Sequence, residues 1–259
     1  MKIEPNVKLL AHTPEPEKIV SMGAKLCYSP LGIDELETSL EDKDNSKFIE
    51  MLSNIGHHSV LEHVSFTFGI EGVSRVLTHQ LVRHRIASYS QKSQRYVKEG
   101  QFEYIIPEAI KDNKALSFRY QELMGIMQEE YDYFVSGIIE EEIEKNHTYA
   151  EIMKVGRPKL EKKYEKYAIE NARSILPNAC ETKIVVTMNA RTLINFFELR
   201  TCRRAQTEIR EVAEQMYRLC LEQAPSIFRN RVASCISEGK CNEGSMSCGK
   251  PRHDLVEGV

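Results

Sequence analysis

Apolar positions along this chain switch between two periods, and each switch predicts an element. Val64, Phe66, Phe68 and Ile70 alternate with polar or small residues, so residues 63–71 are predicted as a strand with one buried face, ended by Gly72. Residues 1–12 read as an extended start carrying Val7, Leu9 and Leu10. The β-branched run Ile184, Val185, Val186, Thr187 predicts a short strand over Lys183–Met188. Helical spacing rules elsewhere. Ile19, Met22 and Leu26 follow a proline start at Thr13-Pro14 and stop at Pro30-Leu31-Gly32. Phe48, Met51, Leu52 and Ile55 predict a helix over 45–55 that stops at Gly56. Val73, Val76, Leu77 and Leu81 predict another, ending near Arg83-His84-Arg85.

A long amphipathic helix is predicted over 113–144, with Leu116, Tyr120, Leu123, Met127, Tyr131, Phe134 and Ile138 as its apolar set. Further helices are predicted over 158–175, carrying Arg173 and stopped by Pro177, from Asn189-Ala190-Arg191 through Leu193, Phe196, Phe197 and Leu199, and over 205–223. Ser93 and Arg95 stand at strand spacing, and Phe102, Tyr104 and Ile106 predict that this strand continues to Pro107. The irregular mixture implies an α+β (mixed α/β) single domain, with a central antiparallel-type sheet flanked by long helices. No glycine-rich phosphate loop follows a strand, which excludes dinucleotide-binding and P-loop folds of the usual kind.

Composition narrows the picture. The 259 residues are 41% hydrophobic and 28% charged, ordinary for a globular protein with a real core. The 35 basic and 38 acidic residues leave a formal charge of −3, so the whole molecule is not built to bind a polyanion. No apolar run approaches a membrane span and the start lacks a signal-peptide core, so the expected compartment is the cytoplasm.

Against that acidic background one stretch is basic. From Val73 to Lys98 there is no Asp or Glu, yet Arg75, Arg83, Arg85, Lys92, Arg95 and Lys98 all fall there. Serines, glutamines and tyrosines fill the gaps between them. Guanidinium forks among short polar donors suit phosphate oxygens, and a basic focus on an acidic body points to a small anionic ligand. The competing readings are a solvated basic face, or a nucleic-acid-binding module with Tyr89 and Tyr96 as stacking platforms. A polar strip of Arg191, Asn195 and Glu198 and a crowd of Arg200, Arg203 and Arg204 occupy one helix farther on.

Two histidine- or cysteine-bearing stretches invite a metal reading. In His57-His58-Ser59-Val60-Leu61-Glu62-His63, His58 and His63 are five apart, about 140° around a helix, so the two-histidine zinc spacing is missed. A ligand-facing loop is expected, with His57 a ring-stacking candidate. In the tail, Cys235-x5-Cys241-x6-Cys248 and His253 offer three thiolates and an imidazole, a tetrahedral zinc set without any paired C-x-x-C. The alternative is a reduced, mobile tail. The other cysteines, Cys27, Cys180, Cys202 and Cys220, sit in apolar or helical surroundings and read as reduced thiols.

The run Arg83-His84-Arg85-x-x-Ser88-x-Ser90-x-x-Ser93-x-Arg95 resembles the signature of the flavin-dependent thymidylate synthases. The blocks Gly56-His57 to Glu62-His63, Gln80, Asn189-Ala190-Arg191, Asn195 and Leu199-Arg200 follow that family's order, so the resemblance spans roughly 15–225. It implies a homotetramer with FAD held between subunits, converting dUMP to dTMP with methylenetetrahydrofolate as carbon donor and NADPH as reductant. By resemblance, Ser59, Arg83, His84, Arg85, Gln91, Asn189, Arg191 and Asn195 are flavin contacts. Gln80, Arg83, Gln91, Ser93, Arg95, Arg173 and Arg200 belong to the dUMP site, with Arg200 the catalytic arginine at the uracil N3. Ser90 replaces the family's Asn, Gln91 stands where many members have Glu, and Arg204 where some have His. A family domain over 1–230 and a cysteine-bearing tail over 231–259 follow as the expected organisation. Neither a membrane nor nucleic acid is an expected partner.

Chemistry offers two routes to a nucleophilic uracil C5. A cysteine thiolate can add at C6, and Cys202, beside Arg203 and Arg204, is the candidate with cationic company. Alternatively a preplaced cation, Arg200, stabilises negative charge on the ring and no cysteine is needed. The resemblance favours the second.

Overall fold

The computed structural model describes residues 4–41 and 43–256. The first three residues of the extended start and the last three of the tail lie outside them.

In chain order the elements are β1 (Asn6–His12), α1 (Pro16–Leu26), α2 (Ile33–Thr38), α3 (Ser46–Asn54), a 3₁₀ turn (His58–His63), β2 (Ser65–Ser74), α4 (Arg75–Leu81) and β3 (Ala87–Gln91). There follow α5 (Glu108–Lys111), α6 (Lys114–Asn146), α7 (Tyr149–Val155), α8 (Arg157–Ala172), β4 (Glu181–Asn189), α9 (Ala190–Arg200), α10 (Thr207–Gln223), α11 (Pro225–Phe228) and α12 (Ser234–Ser237). The fold is mixed α/β with a four-stranded sheet in the order β1-β2-β4-β3. Among the described residues no helix is long and apolar enough to cross a membrane.

The chain packs as two compact units. The larger comprises Glu4–Glu71, Leu77–Ser90 and the chain from Lys183 on; the smaller comprises Gly72–Val76 and Gln91–Thr182.

In the larger unit β1 and β2 run antiparallel, from Asn6 opposite Glu71 to His12 opposite Phe66. The alternation read from sequence is real: Val64, Phe66, Phe68 and Ile70 are all buried. Ile184, Val186 and Met188 of the neighbouring strand β4 are buried too, as are Leu193, Phe196 and Phe197 of α9 and Ile209, Val212 and Met216 of α10. Phe66 sits edge-on to Phe228 at 5.4 Å, and Phe197 edge-on to Tyr217 at 5.6 Å. Truncating one such ring to alanine costs about 3–5 kcal/mol. The register slips by one residue at Leu10, which lies over Gly69. A Cβ at Gly69 would stand 3.3 Å from the Leu10 side chain.

In the smaller unit α6 packs along α8. Tyr131, Val135, Ala168 and Ala172 form one buried cluster, and Phe102, Met124, Ala179 and Cys180 a second.

Several expectations are corrected. The strand over 93–107 does not form: Ser93–Val97 is a turn, its Val97 N–H bonding the Ser93 carbonyl at 3.3 Å, and Tyr104 makes only a single bridge with Cys180. The Ser93 hydroxyl accepts the Arg95 N–H at 3.2 Å, so a local side-chain bond outcompetes the ladder. Gly72 does not end β2. It takes φ 69° inside the strand and donates its N–H to Glu181 Oε1 at 3.0 Å. The strand absorbs Val73, so the next helix begins only at Arg75 and stops at Leu81, short of the arginines. Pro16, not Pro14, opens α1, whose buried face is Val20 and Ala24. Helix α2 has no forecast counterpart. On α6 the buried residues are Met124, Tyr131, Val135 and Ile143, while Leu116, Leu123 and Phe134 are exposed.

Candidate functional site

The basic signature is held by a turn between α4 and β3. Tyr89 reaches back so that its hydroxyl lies 2.8 Å from the Leu81 carbonyl and 2.7 Å from that of His84. Burial pushes its phenol up to about 12, so it stays a neutral donor. Thr192 on α9 donates its hydroxyl to the Ile86 carbonyl at 3.2 Å, tying the turn to the helix start. Tyr89 is therefore a structural lock, not a free stacking platform.

His84 points inward and only 6% of it is exposed. Its ring stands edge-on to Phe196 at 4.9 Å. Its Nε2 accepts a hydrogen bond from Arg200 Nε at 2.9 Å. Burial, and then the Arg200 charge, pull the His84 pKa from 6.5 down to about 4. A neutral imidazole whose Nε2 accepts must carry its proton on Nδ1. Burial also lowers Arg200, which as a guanidinium remains charged. Arg200 is the last residue of α9, so its side chain leaves a rigid helix and is aimed by a rigid acceptor. The two residues were singled out separately from sequence; their bond was not foreseen, because 116 positions separate them.

Other expected flavin contacts belong to the same larger unit. Asn189 caps α9, its side-chain oxygen accepting the Thr192 N–H at 2.8 Å. Arg191 pairs with Glu62 at 2.5 Å on the surface. Arg83, Arg85, Asn195, Ser59 and His57 are exposed. Among the described residues the Arg83 guanidinium makes no hydrogen bond or ion pair within the chain. Gln80 donates to Gln206 at 2.5 Å.

The smaller unit holds its own set. Arg95 pairs with Glu170, and Arg173 Nε donates to the Glu170 carbonyl at 3.3 Å. Arg95 and Arg173 thus both bond to Glu170 near the end of α8. Lys166 and Arg95 lie over the Tyr96 ring at 4.7 and 5.7 Å, and the ring stays 64% exposed. Lys92 pairs with Glu99 at 3.0 Å, and Gln91 donates to the Thr182 hydroxyl at 3.2 Å. The basic stretch that lacks acids in sequence is therefore partly neutralised by Glu99 and Glu170.

The arginines beyond Arg200 are engaged by the tail. Arg203 pairs with Asp254 at 2.9 Å and Arg204 with Glu243 at 3.1 Å. Arg252, 4% exposed, bonds the Thr201 carbonyl, Glu214 and Asp254. Cys180 and Cys220 are buried; burial pushes the Cys180 thiol up to about 12 and Cys220 well above its ordinary value. Among the described residues no three His, Cys, Asp or Glu side chains already stand close enough together to hold a metal ion. Exposed His253 does not line the cavity bounded by the tail cysteines.

A family model described as thymidylate synthase complementing protein matches residues 8–226. The chain belongs to this family. The flavin-dependent thymidylate synthase of Clostridium tetani is 54% identical over 245 residues, covering 94% of this chain and 93% of the relative. That of Geobacter sulfurreducens is 46% identical over 246 residues, covering 94% of each. Among solved structures, a UMP/dUMP methylase from Streptomyces cacaoi bound with 5-Br dUMP matches with TM-score 0.66 at 21% identity, covering 88% of this chain and 94% of that one. Thymidylate synthase X from Helicobacter pylori, with FAD and dUMP, matches with TM-score 0.56 at 22% identity, covering 88% and 99%. These two likenesses establish the shared fold. The signature at 83–95 thus lies in a member of the flavin-dependent thymidylate synthase family, as its resemblance implied.

Proposed function

We propose that this enzyme carries out the reductive methylation of dUMP to dTMP, with methylenetetrahydrofolate as carbon donor and NADPH as reductant, without a cysteine nucleophile. The observation that carries this reading is the Arg200–His84 bond. It fixes a cation at a rigid helix end, where negative charge developing on a uracil ring would be stabilised. Burial raises the thiol pKa of Cys180 and Cys220 and so disfavours their thiolates, which leaves Cys202 as the cysteine to test.

FAD, when bound, supplies the hydride chemistry. The donor set fits such a group. Arg83 and Arg85 are exposed, and among the described residues the Arg83 guanidinium is unspent, which suits a pyrophosphate. Arg191, Asn189, Asn195, Ser59 and His84 complete the proposed flavin contacts, with His57 a ring-stacking neighbour. Arg95, Ser93 and Arg173 bind the dUMP monophosphate, and Gln80 and Gln91 its polar edges. In this reading Ser59 reaches the flavin from a neighbouring chain, so the working form is a homotetramer with each FAD shared between subunits, and its proposed compartment is the cytoplasm.

The test is dTMP formation from dUMP, methylenetetrahydrofolate and NADPH. Removing a preplaced donor costs on the order of 3–4 kcal/mol of barrier, roughly a hundredfold to a thousandfold in rate. Arg200→Ala is expected to lose that much while Cys202→Ala keeps its activity. An inactive Cys202→Ala that still binds FAD would reverse the assignment, and a colourless protein indifferent to dUMP would end it.

A further inference from the structure

The match to the family ends at residue 226, and the cysteines beyond it take no part in the chemistry above. The fold brings them to one place. Cys235, Cys241 and Cys248 of the tail line a cavity of about 420 Å³ together with Cys202, at the end of α9. Four of the chain's seven cysteines therefore face one space. The fourth candidate in the sequence is His253, which does not line this cavity, whereas Cys202 does.

The loop is shaped for this convergence. Gly239, Gly244 and Gly249 take φ of 66°, 54° and 67°, backbone that other residues adopt only with strain. None has a neighbour within 4 Å that a Cβ would strike, so the turns themselves, not crowding, call for glycine. These turns fold the chain on either side of Cys241 and directly after Cys248. Both ends of the loop are anchored: Ala233 donates its N–H to the Thr201 hydroxyl at 2.8 Å, and buried Arg252 grips Thr201 and Glu214. Between the anchors, α12 and Cys241 are half-buried, and the rest of the segment to Pro251 is exposed.

We propose that the tail and the end of α9 form a zinc site in which Cys202, Cys235, Cys241 and Cys248 are the ligands. Sulfur donors select a thiophilic ion over magnesium or calcium, and four thiolates satisfy zinc's tetrahedral preference. A zinc tetrathiolate carries net negative charge, and Lys240 and Lys250 line the same cavity to offset it. The thiols do not yet stand at ligand distance. The ion draws the exposed loop inward onto Cys202, with release of the thiol protons. The bound ion then clamps the tail against the helix end that carries Arg200. The inference is independent of the proposed reaction.

The test uses the full chain, purified under reducing conditions and titrated with cobalt(II) as a spectroscopic stand-in for zinc. One equivalent per chain is expected to give sulfur-to-cobalt charge-transfer absorption and a tetrahedral ligand-field band, both erased by zinc. The C241S/C248S double variant should lose both bands; H253A should keep them. Cys202→Ser alone, in the bend just past α9, should shift the ligand-field band, which keeps the test valid if the double variant misfolds. Absence of the charge-transfer band in the reduced native chain overturns the proposal. So does a band undiminished in C241S/C248S, or one lost only in H253A. So does a chain that takes up no cobalt but oxidises to a disulfide between two of these cysteines. Activity assayed on the same samples separates this result from the fate of the proposed reaction.

Discussion

Replacing His84 with glutamine isolates the contact on which the site depends. Glutamine offers an amide oxygen to Arg200 but cannot be protonated in the working range. In the native chain His84 is held at about 4, against 6.5 for a free imidazole. The unfolded chain therefore takes up a proton first as pH falls. The neutral His84 contributes its full stability above about pH 6.5, and that contribution is lost as pH drops through about 4. Linkage makes the loss about 2 kcal/mol between about pH 7.5 and about pH 5, and about 3 kcal/mol in all. Urea unfolding at a series of pH values, native against His84→Gln, reads the difference with the other histidines cancelling. The native curve should fall more steeply than the variant's over this window. Parallel curves would refute the buried neutral imidazole. His84→Ala, which leaves Arg200 Nε without its acceptor, should also cost activity. A bond to a charged group is worth about 1.5–3 kcal/mol, roughly tenfold to a hundredfold in rate, and glutamine should recover part of it.

Three further outcomes are expected. Tyr89→Phe removes the hydroxyl that fixes the signature turn and should lower unfolding stability by about 1–3 kcal/mol in urea melts; an unchanged midpoint would remove Tyr89 as the lock. Arg252→Ala leaves Glu214 without its buried partner and should cost about 3–5 kcal/mol, with Arg252→Lys failing to recover it because one ammonium cannot serve Thr201, Glu214 and Asp254 together. Arg95→Ala should raise the KM for dUMP at least tenfold with FAD content unchanged, since the proposed role is phosphate binding; an unchanged KM would assign Arg95 to its Glu170 pair alone.

What could be read along the chain was periodic or contiguous. The alternation at Val64–Ile70 and the β-branched run after Lys183 became β2 and β4, because a strand with one buried face must repeat every second residue. The signature at 83–95 was legible as a spacing. The failures are equally physical. Ser93-x-Arg95 imitates a strand, yet a hydroxyl bonding to a nearby N–H costs less than ordering a ladder and makes a turn. Leu116 and Phe134 fit the helical stripe of α6 but stay exposed, because length of amphipathic pattern does not say how much of it a neighbour covers.

By itself the sequence determined the family, the order of most elements and which residue types carry the chemistry. The family was legible as a resemblance of motifs; the elements are local pattern, set by φ/ψ preference and by the period at which a chain presents one face. Only the tertiary structure decided that His84 is neutral and aims Arg200, that Glu99 and Glu170 partly neutralise the basic stretch, and that Cys202 joins three cysteines of the tail. Protonation state and pairing depend on distance and burial in three dimensions. Residues 116 positions apart acquire those only when the core brings them together.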